Sequence, residues 1–468
     1  METNIIKMDA VALRLAQQQG KVTVPEITAA YLDRIEAVNP AINAIISMRS
    51  RVDIMTEAED MQKTAGSGLL FGLPIAIKDL RETKGIATTF GSLIYKDNVP
   101  SKDCLMVERI RSAGALIIGK TNTPEFGFGS HSYNLVHGVT VNPYDLTRSA
   151  GGSSGGAGAA LAAGMLPIAD GSDMMGSLRN PAGWNNVYGF RPSYGLVPDE
   201  PAGENFLHQL STSGPMARTV RDLELLLKVM GVPDARLAHA TNPFTSMGDA
   251  PVKGTKIGWV GDWGGYYPIE NGVLELCGDG LNTLSDLGCD VQEITPPFAP
   301  EELWQSWTIL RQFAAASKDA ALFENPATRA LLKPEVQWEI ENGLALSARD
   351  VRDASMVRSE WFRTFAMLNV DMLTLPSAQM FPFDAKLHWP KQVAGRNMDT
   401  YHRWMEVVVP AALIGLPALS IPVGFGDEGL PMGLQLIGKR GCDAQVLRLG
   451  HVYHEATLYP QKYPPKLD

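Results

Sequence analysis

The sequence predicts an α/β fold, a large mixed β-sheet core flanked by helices on both faces. Short apolar runs of strand length alternate with amphipathic segments of helical period along most of the chain, and a sheet built from such strands is covered by helices on both sides. The composition, 45% hydrophobic and 20% charged over 468 residues, is that of a globular protein with enough chain to bury a sizeable core.

Taken in order, Thr23-Val24-Pro25-Glu26 reads as a capping box, and Ile27, Tyr31 and Ile35 recur at helical spacing up to a stop at Asn39-Pro40. Then come a strand in LPIAIKD (73–79), a helix around 104–113, a strand in ALIIG (115–119), a small-residue helix at 157–164 and a strand in MLPIAD (165–170). Residues 230–400 repeat the pattern with KIGWV (256–260), a helix near 271–287 and CDVQEI (289–294), and turn predominantly helical to about 368. This stretch carries no catalytic motif. It is expected to be the variable part of one domain spanning 1–468, with helices and loops, DMLTLPSAQMFPFDA (371–385) included, that shape a substrate pocket. Sheet returns in PALSIPVGF and PMGLQLIG, closed by a helix from about 442 to 455.

A formal net charge of -10 disfavours polyanions, so nucleic acid is not expected as a partner. Cys104, Cys277, Cys289 and Cys442 lie far apart without the CxxC spacing of a zinc or redox site. The stretch METNIIKMDAVALRLAQQQG has no apolar core of signal-peptide type, and with the cysteines this points to the cytoplasm. Residues 407–425 are apolar for about the length of a membrane span, but Pro410, Pro417 and Pro422 would break such a helix, so buried strand and turn are expected and no membrane association.

Residues 148–180 hold two serine clusters set among glycines. Gly151 to Gly156 present backbone N–H groups unobstructed by side chains and lead into the small-residue helix. Gly171-Ser172-Asp173-Met174-Met175-Gly176-Ser177 reads as a turn that aims successive N–H groups at one point, an arrangement able to stabilise a tetrahedral oxyanion at about 3 kcal/mol per donor. Three motif readings compete. GGSSG (151–155) and GSSGG (152–156) both fit the nucleophile elbow G-x-S-x-G, which requires a later acid and histidine; His402, His451 and His454 are late enough, but an elbow leaves the second serine cluster unexplained. Gly114 to Thr121 fits the phosphate-loop pattern with Lys120, yet Ala115 to Ile118 is itself the strand and Pro124 follows closely. The third reading joins both clusters to Lys78, a lysine at the end of an apolar strand and thus either a snorkelling edge residue or a buried base.

With Lys78 included, the chain resembles the amidase signature family nearly end to end. FGLPIAIKD, KTNTPEFGFGS, RSAGGSSGG, GSDMMGSLRNPA, GLPALSIPVGF and GLPMGLQLIG are similar to that family's blocks in order, as is the spacing of 24 residues from Ser153 to Ser177. The resemblance implies Ser177 as nucleophile, Ser153 as bridging serine entered by a cis peptide bond, and Lys78 as base. It implies an oxyanion hole of the backbone N–H groups of Met174, Met175, Gly176 and Ser177. Phe126, Gly127, Phe128, Gly129 and Ser130 resemble the segment lining the acyl pocket; Asp173 and Arg179 resemble positions that hold the nucleophile turn, and Ser154 is expected to hydrogen-bond within the site. The family usually has glycine where this chain has Met175, a difference bearing on the acyl side of the pocket. The implied activity is hydrolysis of a small aliphatic or aryl-alkyl amide, extending to esters, anilides or carbamates, by a monomer or homodimer with water as co-substrate and no metal or cofactor. A glutaminase subunit of a tRNA-dependent amidotransferase and a Ser-His-Asp α/β-hydrolase stand as alternatives.

Overall fold

A computed structural model describes residues 5–64 and 66–467; Met1 to Asn4, where the stretch read for a signal segment begins, lie outside the described residues. Thr23 caps helix α1 (Val24–Ile42) in the expected box with Glu26. The helix runs past Asn39-Pro40 and ends at Asn43, whose left-handed backbone (φ 56°) turns the chain, while the Asn39 side chain binds the N–H groups of Ala44 and Ile45. Proline is tolerated there because the last helical turn has other means of satisfying its backbone.

Strands β1 (Ile45–Ile46), β2 (Pro74–Lys78) and β3 (Leu116–Thr121) form a separate three-stranded sheet in the order β1-β3-β2. The strands of LPIAIKD and ALIIG thus belong to this smaller sheet and not to the main one. It is buried on both faces: Ile75, Ile77 and Ile117 enter the larger hydrophobic core, whereas Ala76, Leu116 and Ile118 enter a second core with α1. Successive side chains of a strand point to opposite faces, so Lys78 shares the face of Ala76.

The main sheet has eight strands, numbered on along the chain: β4 (Ile168–Asp173), β5 (Tyr188–Arg191), β6 (Thr212–Ala217), β7 (Lys256–Trp259), β8 (Asp290–Glu293), β9 (Met372–Pro376), β10 (Ala418–Phe425) and β11 (Pro431–Gly438). Their order is β8-β7-β9-β11-β10-β5-β6-β4. Only β7 pairs in parallel, with β8 and β9; every other neighbour is antiparallel. The sheet is therefore mixed as expected, with antiparallel pairing dominant. Within the segment expected to supply pocket loops, Met372 to Pro376 is instead a fully buried interior strand. Its apolar run MLTLP satisfies that position better than a surface loop would.

Helices cover both faces. Among them, along the chain, are α2 (Gly155–Ala162), α3 (Arg179–Trp184), α4 (Val273–Asp286), α5 (Pro300–Glu324), α6 (Pro334–Leu344), α7 (Ala348–Met367) and α8 (Asp443–Thr457). Gly183 of α3 lies against Gly433 and Ser377, while Gly280 of α4 and Gly450 of α8 lie against Val423 and Leu419 on the opposite face. The edge strand β4 borders the small sheet without a shared ladder; there the Asp170 carboxylate accepts the Lys78 backbone N–H at 2.9 Å. Residues 407–425 form a short helix and β10, and no helix among the described residues is long and apolar enough to cross a membrane.

Candidate active site

Three segments meet at the junction of the two sheets: the end of β2, the turn into α2, and the turn between β4 and α3. Lys78 is 1% exposed, and its Nζ lies 2.8 Å from Ser153 Oγ, 2.9 Å from Ser154 Oγ and 3.0 Å from Ser172 Oγ. Burial drives the lysine down to about 7 against the opposing pull of Asp170; Arg81 adds to the fall, and Asp173 opposes it. The Gly152–Ser153 peptide is cis. Small residues make the assembly sterically possible: a Cβ on Gly156 would collide with the backbone of Asn122, and α2 could not then reach the end of β3.

The Ser177 turn is held by Asp173. Its Oδ1 accepts from the Gly176 N–H at 2.8 Å and its Oδ2 from the Leu178 N–H at 3.2 Å, and Arg179 binds both oxygens at 3.0 Å. Arg191 joins Asp173 from β5, and Arg179 extends to the Val408 carbonyl and the Gln435 side chain on β11. Burial alone would raise this carboxyl; the two guanidiniums outweigh it and hold Asp173 well below the usual carboxylate range. Gly176 has φ 76°, and a Cβ there would come within 2.7 Å of Val408 Cγ2.

Of the four N–H groups expected to face inward, that of Gly176 donates to Asp173, while those of Met174, Met175 and Ser177 have no intramolecular partner among the described residues. Met175 itself is buried in the main core and borders the cavity, where glycine would leave more room. The Ser177 hydroxyl opens to the same cavity and, among the described residues, is not bonded to Ser153; their segments are linked by the Ser154 N–H, which donates to the Ser177 carbonyl at 3.3 Å.

The cavity, of about 630 Å³, is bordered by Ser153 and Ser177 on one side and by Phe126 to Ser130 on another. Phe126 (φ 48°) and Gly127 (φ 77°) bend that segment over Ser153, and the Lys333 ammonium at the start of α6 grips the Phe128 carbonyl at 2.7 Å. The 230–400 region contributes residues 237–240 and several on α5. Of these, Arg311 donates to Glu339 and Tyr401 and stands 2.9 Å from Met174 Sδ.

Sequence reasoning missed Ser172, Asp170, Arg191, Gln435 and Arg311. Ser172 sits in the serine-rich turn and was a visible candidate; the others are brought in only by strand pairing and helix packing. The two competing motifs fare differently from Lys78. Lys120 is buried in β3 with its ammonium on the Arg81 carbonyl and Thr83 Oγ1, so no loop cradles an anion there. Among the described residues no histidine bonds Ser153 or Ser154: His402 packs edge-on against Trp304 and Trp307, His451 faces Arg221, and His454 binds the Tyr188 hydroxyl.

Comparison with known proteins gives a consistent set of relatives. A family model described as Amidase matches residues 26–447. The chain is 32% identical to an acylamidase of Rhodococcus erythropolis over 99% of this chain and 98% of that protein. It is 35% identical to a glutamyl-tRNA(Gln) amidotransferase subunit of Thermus thermophilus over 96% and 97% of the two. Among solved structures, a bacterial aryl acylamidase of the amidase signature enzymes superposes with a TM-score of 0.90 at 26% identity, covering 98% of each chain.

Proposed function

Since the chain belongs to the amidase signature family and is an amide-cleaving hydrolase, we propose that it hydrolyses small aliphatic or aryl-alkyl amides, with esters, anilides and carbamates as further substrates, through an acyl-enzyme on Ser177. The observation that carries this reading is the Lys78 amine, sealed from water, lowered to about 7 and 2.8 Å from Ser153 Oγ. A neutral amine has two N–H bonds and one lone pair, so one of its three serine neighbours must donate to it; in this mechanism that donor is Ser153.

As Ser177 Oγ attacks the amide carbon, its proton passes to Ser153 Oγ while the Ser153 proton passes to Lys78. The carbonyl oxygen becomes an oxyanion facing the N–H groups of Met174, Met175 and Ser177. Collapse expels the amine, which takes a proton back from Ser153 as Lys78 returns one. Water then enters, loses a proton along the same path, attacks the acyl carbon and releases the acid and Ser177. Hydrogen bonds of this kind commonly tighten only when substrate is bound, which is compatible with an unbonded Ser177 hydroxyl. Phe126, Phe128, Met174 and Met175 give the wall an apolar character suited to acyl groups.

The test is release of amine from a panel of aryl and alkyl amides by wild type and Ser177→Ala, with a fluorophosphonate to locate the reactive serine. Label on Ser177 and loss of turnover are expected; label elsewhere, or an active Ser177→Ala enzyme, overturns the proposal. The identity with the amidotransferase component favours a second reading, a glutaminase that works within an assembly. Turnover of simple amides by the purified chain alone selects the free-standing enzyme.

A further inference from the structure

Asp319 stands on α5 at the cavity wall with only 7% of its surface exposed, the one carboxylate there so deeply buried among the described residues. Among the described residues no donor or ion pair satisfies it: burial raises its carboxyl, and the charge acting against that is the neighbouring Lys318, an exposed residue that also borders the cavity. Among the described residues the other charges on the wall are committed, apart from the exposed Lys318. Arg311 is paired with Glu339, Arg81 with Asp199, and Glu200 accepts the Leu105 N–H. A buried carboxylate without a partner is costly, and the cost is relieved by any ligand that brings a charged donor to it.

Its position along α5 defines which end of a ligand it meets. Arg311, beside Met174, marks the end nearest the serine turn. Asp319 lies eight residues on, about 12 Å along the axis at the helical rise. There Lys318 is near enough for its charge to be felt by Asp199, so α5 runs along the cavity from the serine turn towards the 199–200 segment.

We propose that Asp319 selects amides whose end remote from the scissile bond carries a cationic nitrogen, an ammonium or a guanidinium. The inference rests on the hydrolytic reading for the reaction, but not for the binding.

The test uses two amides of equal length, one ending in a primary ammonium and the other in a methyl group, with wild type and Asp319→Asn. In wild type kcat/KM favours the ammonium amide by tenfold or more, as expected for one charge-assisted hydrogen bond, chiefly through KM; in Asp319→Asn the ratio falls towards one. The same pair is titrated into Ser177→Ala and into Ser177→Ala/Asp319→Asn, where binding is read without turnover. Tighter binding of the ammonium amide that disappears in the double variant supports the inference. Equal affinities in Ser177→Ala, or a preference that survives Asp319→Asn, overturn it. Failure of wild type to cleave either amide, with the binding preference intact, overturns the hydrolytic reading and leaves this one standing.

Discussion

As the proposed base, Lys78 is expected to set how the activity depends on pH. The amine acts only when neutral, and burial has already brought it to about 7, so kcat/KM is expected to fall about tenfold per unit below that value and to level off above it. A pH–rate profile with no acid limb near 7 would remove Lys78 from the role of base. Lys78→Arg carries a permanent charge and is expected to abolish turnover while the fold remains intact by circular dichroism. Ser177→Ala should reduce kcat by at least about a thousandfold, read as amine release. Asp173→Asn leaves Arg179 and Arg191 buried with a neutral partner; a loss of about 3–5 kcal/mol is expected, measured as a drop in denaturation midpoint together with kcat.

At the scale of elements, the turn that carries Ser177 depends on one backbone conformation. Gly176→Ala places a Cβ at positive φ against Val408, and a lower melting temperature with reduced kcat is expected because the Asp173 contact and the donors beside it shift together. Helix α6 approaches α5 so closely that a Cβ on Gly343 would run into the Gln312 carbonyl. Gly343→Val should therefore separate the two helices, loosen the Arg311–Glu339 pair, and show as a lowered melting temperature and raised KM. Most elements were legible from periodicity and capping, Thr23-Glu26 and the strand ending in Lys78 among them. β9 was not, because its short run MLTLP is followed by Ser377, Gln379, Pro382 and Asp384, which read as loop. Lys78, Ser153 and Ser177 were singled out together by the resemblance of their blocks to the family, whereas Arg191 and Gln435 reach the turn from strands whose neighbours no local pattern discloses.

The molecule is built on two principal sheets meeting at an edge, and the candidate site lies where they join. That the apolar runs around Lys78 form their own sheet was hidden from the sequence, since a run such as PIAIK suits an interior strand in either sheet. Asp170 bridges the junction by accepting the Lys78 N–H, so Asp170→Ala is expected to lower kcat more than a substitution remote from the site of equal effect on stability, measured by paired kinetics and thermal melting. The hold of Arg179 on Gln435 has a consequence in time. The side chain that steadies the Ser177 turn is received by a residue 256 positions further along the chain, close to its end. During synthesis Ser177, the proposed nucleophile, therefore emerges long before the residue that receives the support of its turn.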